Sequence, residues 1–175
     1  PETYGEYPVA TNYNLPTRVR MEGLELDYKQ SLGALAPWLR GAQVFANVSA
    51  LRTRGDAAAN FSGFTPRTYN WGFSYSRPKY TLRANWNYRG RSRLGQLSGA
   101  SVEPGSFDWR SKRLYVDLSA EYMFHRRIGL FGSMRNVLDA TEDVERHGPS
   151  TPAHAQFRQR EDFGSLWTVG LKGTF

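Results

Sequence analysis

The amino-acid sequence predicts an all-β protein, an antiparallel transmembrane β-barrel segment of about seven strands. Three observations predict it. Apolar and polar residues alternate with period two over long stretches. The alternating stretches run to about 11–14 residues, long for a globular protein but enough to cross an apolar band of roughly 25 Å at a tilt near 45°. The links between them are short and long by turns, as they are in outer-membrane barrels.

The clearest pair of strands lies in the middle of the chain. From Thr68 to Arg77, Tyr69, Trp71, Phe73 and Tyr75 share one face, while Asn70, Gly72 and Ser74 share the other. After the turn Arg77-Pro78-Lys79, Tyr80, Leu82, Ala84, Trp86 and Tyr88 alternate with Thr81, Arg83, Asn85, Asn87 and Arg89, so the two runs form a hairpin. A strand over 113–124 sets Leu114, Val116, Leu118, Ala120, Tyr122 and Phe124 against Tyr115, Asp117, Ser119 and Glu121, and it turns at His125-Arg126-Arg127. Its return, 128–138, alternates less cleanly, because Phe131 and Val137 fall opposite Leu130 and Met134.

Upstream, 38–51 carries Ala42, Val44, Ala46, Val48 and Ala50 on one face. Before it, 17–30 alternates through Val19 and Met21 and shifts phase at Gly23, which predicts a β-bulge there. The last strand, 164–175, sends Trp167, Val169, Leu171 and Phe175 one way and Thr168, Lys172 and Thr174 the other. Short links are expected at 32–37, 77–79 and 125–127, and long loops at 53–67, 90–112 and 139–163.

Composition agrees with this reading. Aromatics make up 14% of the 175 residues, ten of them Tyr, and Cys is absent. No apolar run approaches the roughly 20 residues of a helical membrane span. A mean hydropathy of −0.61 suits a barrel, in which only alternate residues meet lipid. A soluble β-sandwich also alternates, but the aromatics Tyr75, Tyr80, Tyr122, Phe124 and Phe175 gather near the short-link ends, as an interfacial girdle requires. The opposite faces carry Arg83, Arg89, Asp117, Glu121 and Lys172, charges a sandwich core could not bury unpaired. Seven strands cannot close a single-chain bacterial barrel, which uses an even number, so further strands are expected upstream. The chain opens on Pro1 without a secretory signal and is expected to begin inside a longer protein. The alternative is a small closed eight-stranded barrel with a structural or adhesion role, its eighth strand drawn from Tyr7, Val9, Thr11 and Tyr13 despite Pro8 and Pro16.

The sequence resembles the C-terminal part of the barrel of TonB-dependent outer-membrane receptors over nearly its whole length. Gly23-Leu24-Glu25-Leu26 is similar to the strand starts of that family, Arg135-Asn136-Val137-Leu138-Asp139 to its penultimate-strand segment, and Trp167 to Phe175 to its closing strand. The resemblance implies a 22-stranded barrel filled by an N-terminal plug, with residues 1–175 as the C-terminal portion and the plug and earlier strands outside it. It also implies a place in the bacterial outer membrane and active uptake of a scarce nutrient, such as a siderophore-iron complex or an oligosaccharide. The partners it implies are outer-membrane lipid and lipopolysaccharide, the inner-membrane TonB complex, and the barrel assembly machinery, which reads Trp167, Val169, Leu171 and Phe175.

Candidate site residues follow from these faces. Arg83, Asn85, Asn87 and Arg89, with Asp117 and Glu121, are expected to line the lumen against the plug or the substrate. Arg91 and Arg93 are expected where the strand leaves the membrane, within reach of outer-leaflet phosphates or an acidic ligand. No catalytic, cofactor or metal motif is found, and His125, His147 and His154, placed on a turn and a long loop, lack metal-ligand spacing. An enzyme is therefore not expected, and a barrel hydrolase would lack a Ser and His paired at any strand end. Arg54-Gly55-Asp56 reads as ordinary turn chemistry. Despite a net charge of +7, the arginines form no single stripe with stacking aromatics, so nucleic acid is not expected as a partner.

Overall fold

The computed structural model describes residues 2–4, 7–9, 14, 17–55, 61–99 and 101–173. It is all-β. In chain order the strands are β1 (Glu2–Tyr4), β2 (Tyr7–Val9), β3 (Arg20–Ser31), β4 (Ala42–Arg54), β5 (Arg67–Arg77), β6 (Tyr80–Arg89) and β7 (Ser92–Gln96). They continue with β8 (Phe107–Arg110), β9 (Arg113–Met123), β10 (Ile128–Arg135), β11 (Glu142–His147), β12 (Phe157–Glu161) and β13 (Leu166–Gly173).

Seven of these strands make one antiparallel sheet in the order β13-β10-β9-β6-β5-β4-β3. The long period-two runs fix its register, because a one-residue slip would turn every side chain to the wrong face. Val44, Phe73, Ala84, Leu118, Met134 and Trp167 form one unbroken row across six strands. Directly paired aromatics reinforce that face. Trp71 stacks on Trp86 at 6.2 Å and Tyr69 on Tyr88 at 5.3 Å, while Tyr75 meets Tyr80 at 5.8 Å beside the turn.

The other face is polar. Asp27, Asn47, Asn70, Asn87 and Tyr115 form a row of their own across β3, β4, β5, β6 and β9. Two aromatics lie on this polar face over glycines: Phe45 over Gly72 and Phe131 over Gly170, where a Cβ would overlap the ring. That contact explains why Phe131 leaves the apolar phase of β10.

Among the described residues only Ala42, Val116 and Val144 are buried apolar side chains. A chain of this length folding alone in water would bury a far larger core. Most large apolar groups of the seven-stranded sheet are instead displayed on one of its faces, with Leu26 61%, Leu130 47% and Val169 73% exposed.

Several expectations are corrected. Gly23 marks no bulge, since β3 and β4 pair without interruption from Arg20–Arg54 to Ser31–Gln43; the missing Cβ makes room for the Leu51 side chain. Trp38 does not begin a strand but sits in a 3-10 turn, Pro37–Leu39, and Val137 lies beyond the end of β10. Tyr7–Val9 pairs with Glu2–Tyr4 and does not join the large sheet, while Thr11 and Tyr13 lie outside the described residues. Among the described residues the sheet stays open, with β3 and β13 at its edges, so no closed eight-stranded barrel forms.

The largest correction concerns the long loops. The links 90–112 and 139–163 hold β7, β8, β11 and β12, which build a second sheet in the order β12-β11-β8-β7. These strands are continuations of β13, β10, β9 and β6, in the same order, so two hairpins run on past the end of the large sheet. Short links at the opposite end join β3 to β4, β5 to β6 and β9 to β10.

Candidate polar site on the sheet face and its outer extension

The alternation of β6 brings Arg83, Asn85, Asn87 and Arg89 together on the polar face. β9 faces them with Ser119 opposite Arg83, Asp117 opposite Asn85 and Arg113 opposite Arg89. Glu121 lies further along β9 and meets Lys172 of β13 at 2.7 Å. At the far edge, Asn47 donates to Asp27 at 2.9 Å. Arg89 is held at the rim of the sheet, its Nε donating to Thr65 Oγ1 at 3.0 Å. All six residues expected in one place are thus on one face, Arg83 exposed and the other five half-buried.

Above Arg89 the second sheet adds a set of charges that the sequence reading missed. Glu142, 3% exposed, is shared between Arg110 at 3.0 Å and Arg113. Asp108, 7% exposed, is shared in the same way between Arg146 at 3.0 Å and Arg158. Each buried carboxylate meets two guanidiniums, so each cluster keeps one excess positive charge, and Arg113 ties the Glu142 cluster to the polar face below. The sequence signal was present in the alternation of Phe107-Asp108-Trp109-Arg110 and of Phe157 to Glu161, but each is a short run inside a stretch rich in turn residues.

These shared carboxylates set the stability of the second sheet. Glu142→Gln should loosen it by about 2 kcal/mol, below the roughly 3–5 kcal/mol of a fully buried pair, because Arg110 keeps 39% of its side chain exposed. Protease nicking within 90–112 and 139–163 would report the loss, and unchanged protection would refute it.

The opposite side of the second sheet carries Arg91 and Arg93. Arg91 lies over the Trp109 ring at 4.4 Å and Arg93 over Phe107 at 4.5 Å. Arg91 also pairs with Glu145 at 3.2 Å and touches His147, which belongs to β11 and not to a loop as expected. Arg91 and Arg93 are therefore separate from the Arg83–Arg89 row. Arg160 grips Asp143 with two bonds, at 2.7 and 2.8 Å, and those bonds hold the Asp143 carboxyl below the usual carboxylate range. A lowered folded-state pKa means that the contribution is complete above the ordinary carboxylate pKa of about 4 and fades as pH falls through the lowered value. Amide exchange of β11 and β12, corrected for intrinsic rates, should therefore quicken only below about pH 4, and Asp143→Asn should abolish that dependence.

Asn136 anchors the base of the second hairpin. It is 8% exposed and sits in the left-handed region at φ 52°. Its N–H donates to Asp117 Oδ1 at 2.9 Å, and its Nδ2 donates to Gly164 O at 3.0 Å and Ala140 O at 3.2 Å. Ala140 N–H returns a bond to Asn136 Oδ1 at 2.9 Å. One residue thus joins β9, the exit of β10 and the entry to β13, its backbone N–H engaging one oxygen of Asp117 in β9 and its side-chain amide the other two segments.

Trp167, Val169 and Leu171 lie on the apolar face of the edge strand β13, and Phe175 lies outside the described residues. A recess of about 570 Å³ also lies on the apolar face, between Leu82, Ala84, Leu118, Met134 and Trp167. It offers no converging polar groups, so it can seat hydrocarbon but cannot orient a polar ligand. No group of metal-ligating side chains occurs among the described residues. No protein-family model, curated protein or solved structure matches the chain.

Proposed function

We propose that this chain forms the C-terminal wall of a TonB-coupled outer-membrane receptor, which takes up a scarce nutrient such as an iron chelate or an oligosaccharide into the periplasm. The observation that carries the reading is the pairing of opposed faces in one open sheet: an uncovered apolar face with stacked aromatics, and a charged face hydrogen-bonded within itself. Water favours neither leaving the first bare nor covering the second, whereas a bilayer on one side and a wet lumen on the other suit both.

In this reading β3 and β13 join the remaining strands of a 22-stranded barrel, since an open edge cannot face hydrocarbon. The short links lie in the periplasm, and the hairpins bearing β7, β8, β11 and β12 rise outside the cell. The Arg83–Arg89 row faces the plug, and the excess positive charge of the upper clusters meets incoming ligand. Arg91 and Arg93, on the outward side, stand at the level of lipopolysaccharide phosphates. Trp167, Val169, Leu171 and Phe175 present the strand read by the assembly machinery.

Deleting the encoding gene tests this directly. Energy-dependent accumulation of one labelled iron chelate or oligosaccharide should disappear and return with the intact gene. Undiminished uptake across such a panel, with the protein recovered outside the outer membrane, would contradict it.

A further inference from the structure

The cations of this chain fall into two groups. The ion pairs among the described residues lie on the polar face, in the second sheet or at the long-link end of β3 and β4: Arg20, Arg52 and Arg54 share Glu22, other arginines pair with Asp108, Glu142, Asp143 and Glu145, and Lys172 pairs with Glu121. The short-link end differs. Arg40, Arg77, Lys79, Arg126 and Arg127 all sit there, and segments 32–41, 76–80 and 123–128 contain no acidic residue. Arg77 is spent on the turn, its guanidinium donating to Trp38 O at 3.0 Å and to Tyr75 Oη at 2.9 Å. Arg40, Lys79, Arg126 and Arg127 are exposed.

The three links are neighbours in the sheet order, so these cations form a row along one rim, with adjacent hairpins about 10 Å apart. Just inside the row the apolar face ends in amphipathic and aromatic groups, with Tyr80 36%, Tyr122 50% and Phe124 56% exposed. Between the β5–β6 and β9–β10 turns lies a cleft of about 540 Å³ lined by Pro78, Lys79, Met123, Phe124, His125 and Arg126. A row of aromatics followed by cations without an acidic partner among the described residues is the vertical order of a lipid interface, with rings at the edge of the hydrocarbon and ammonium or guanidinium groups at the phosphates.

We propose that this rim binds the headgroups of anionic phospholipids in the leaflet at the short-link end, with Lys79 and Arg126 holding a phosphate in the cleft and Arg40 and Arg127 extending the row. The inference rests on the membrane reading above and adds to it a preference for negatively charged lipid.

The test uses the intact protein refolded into vesicles of phosphatidylcholine alone or of phosphatidylcholine with phosphatidylglycerol, followed by extraction and native mass spectrometry of the retained lipid. Phosphatidylglycerol should be retained in preference, and Lys79→Gln/Arg126→Gln/Arg127→Gln should cut that preference by about five-fold per cation, on the order of 100-fold in all. Lys29→Gln, which removes an exposed cation from the polar face, should leave it unchanged. Should the triple variant fail to refold, the unaltered protein still decides, because its preference should fall steeply between 0.05 and 0.5 M salt. Equal insertion into both vesicles with no lipid preference overturns the inference and leaves the membrane reading standing; so does capture of an acidic soluble protein by the rim without lipid selectivity. Failure to insert into either vesicle overturns both.

Discussion

Leu118→Arg should destabilise the protein in a bilayer by about 2–4 kcal/mol, the cost of a guanidinium on the lipid side near the midplane of a membrane barrel. Leu118 sits at the centre of the apolar row, between Ala84 and Met134, and is 41% exposed. In water, arginine at so open a site would change stability by no more than about 0.5 kcal/mol. The same replacement at Leu130, nearer the short links, should cost less, about 0–1 kcal/mol, because the side chain can reach the interface. Denaturant titration of the refolded variants in lipid measures the gradient. Equal costs at the two positions would argue against a membrane on this face.

Asn136→Ala should cost about 3–5 kcal/mol. Three side-chain hydrogen bonds disappear, leaving Gly164 O and the Ala140 amide without partners at a position only 8% exposed. Alanine must also hold φ near 52°, which adds about 1 kcal/mol or more. Asn136→Gly removes the second penalty and keeps the first, so it should recover only about 1 kcal/mol. Unfolding midpoints of the two variants separate the contributions; an alanine variant as stable as the parent would show that the amide does not hold the hairpin base.

The large sheet was legible in the sequence because its strands are long and their alternation is continuous. Thr68 to Arg89 fixed a hairpin, its turn and both faces, and the observed register pairs Tyr69 with Tyr88 and Trp71 with Trp86 as that pattern implied. The second sheet was not legible. β7, β8, β11 and β12 are four to six residues long, too short for the alternation in Phe107 to Arg110 and in Phe157 to Glu161 to stand out from the turn residues around them. Gly23 misled for a different reason: a glycine that accommodates Leu51 from the neighbouring strand has the same local signature as one that bulges.

The candidate site divides similarly. The row Arg83 to Arg89 needed only the parity of one strand. Parity puts Asp117 on the polar face, but its bond to the Asn136 backbone depends on a turn nineteen residues away, which alternation cannot place. The pairing of Glu142 and Asp108 with four arginines joins segments 29 to 50 residues apart and required the strand order of the second sheet.

The central claim is that the face bearing Leu82, Leu118 and Leu130 meets hydrocarbon while the face bearing Arg83, Ser119 and Ser133 meets water. The absence of Cys makes single labels clean within this chain. A fluorophore placed in turn at 118, 119 and 120 of the vesicle-inserted protein should be quenched by spin-labelled lipid chains at 118 and 120 and by aqueous iodide at 119. Iodide quenching at all three positions, with no response to the lipid probe, would contradict the account.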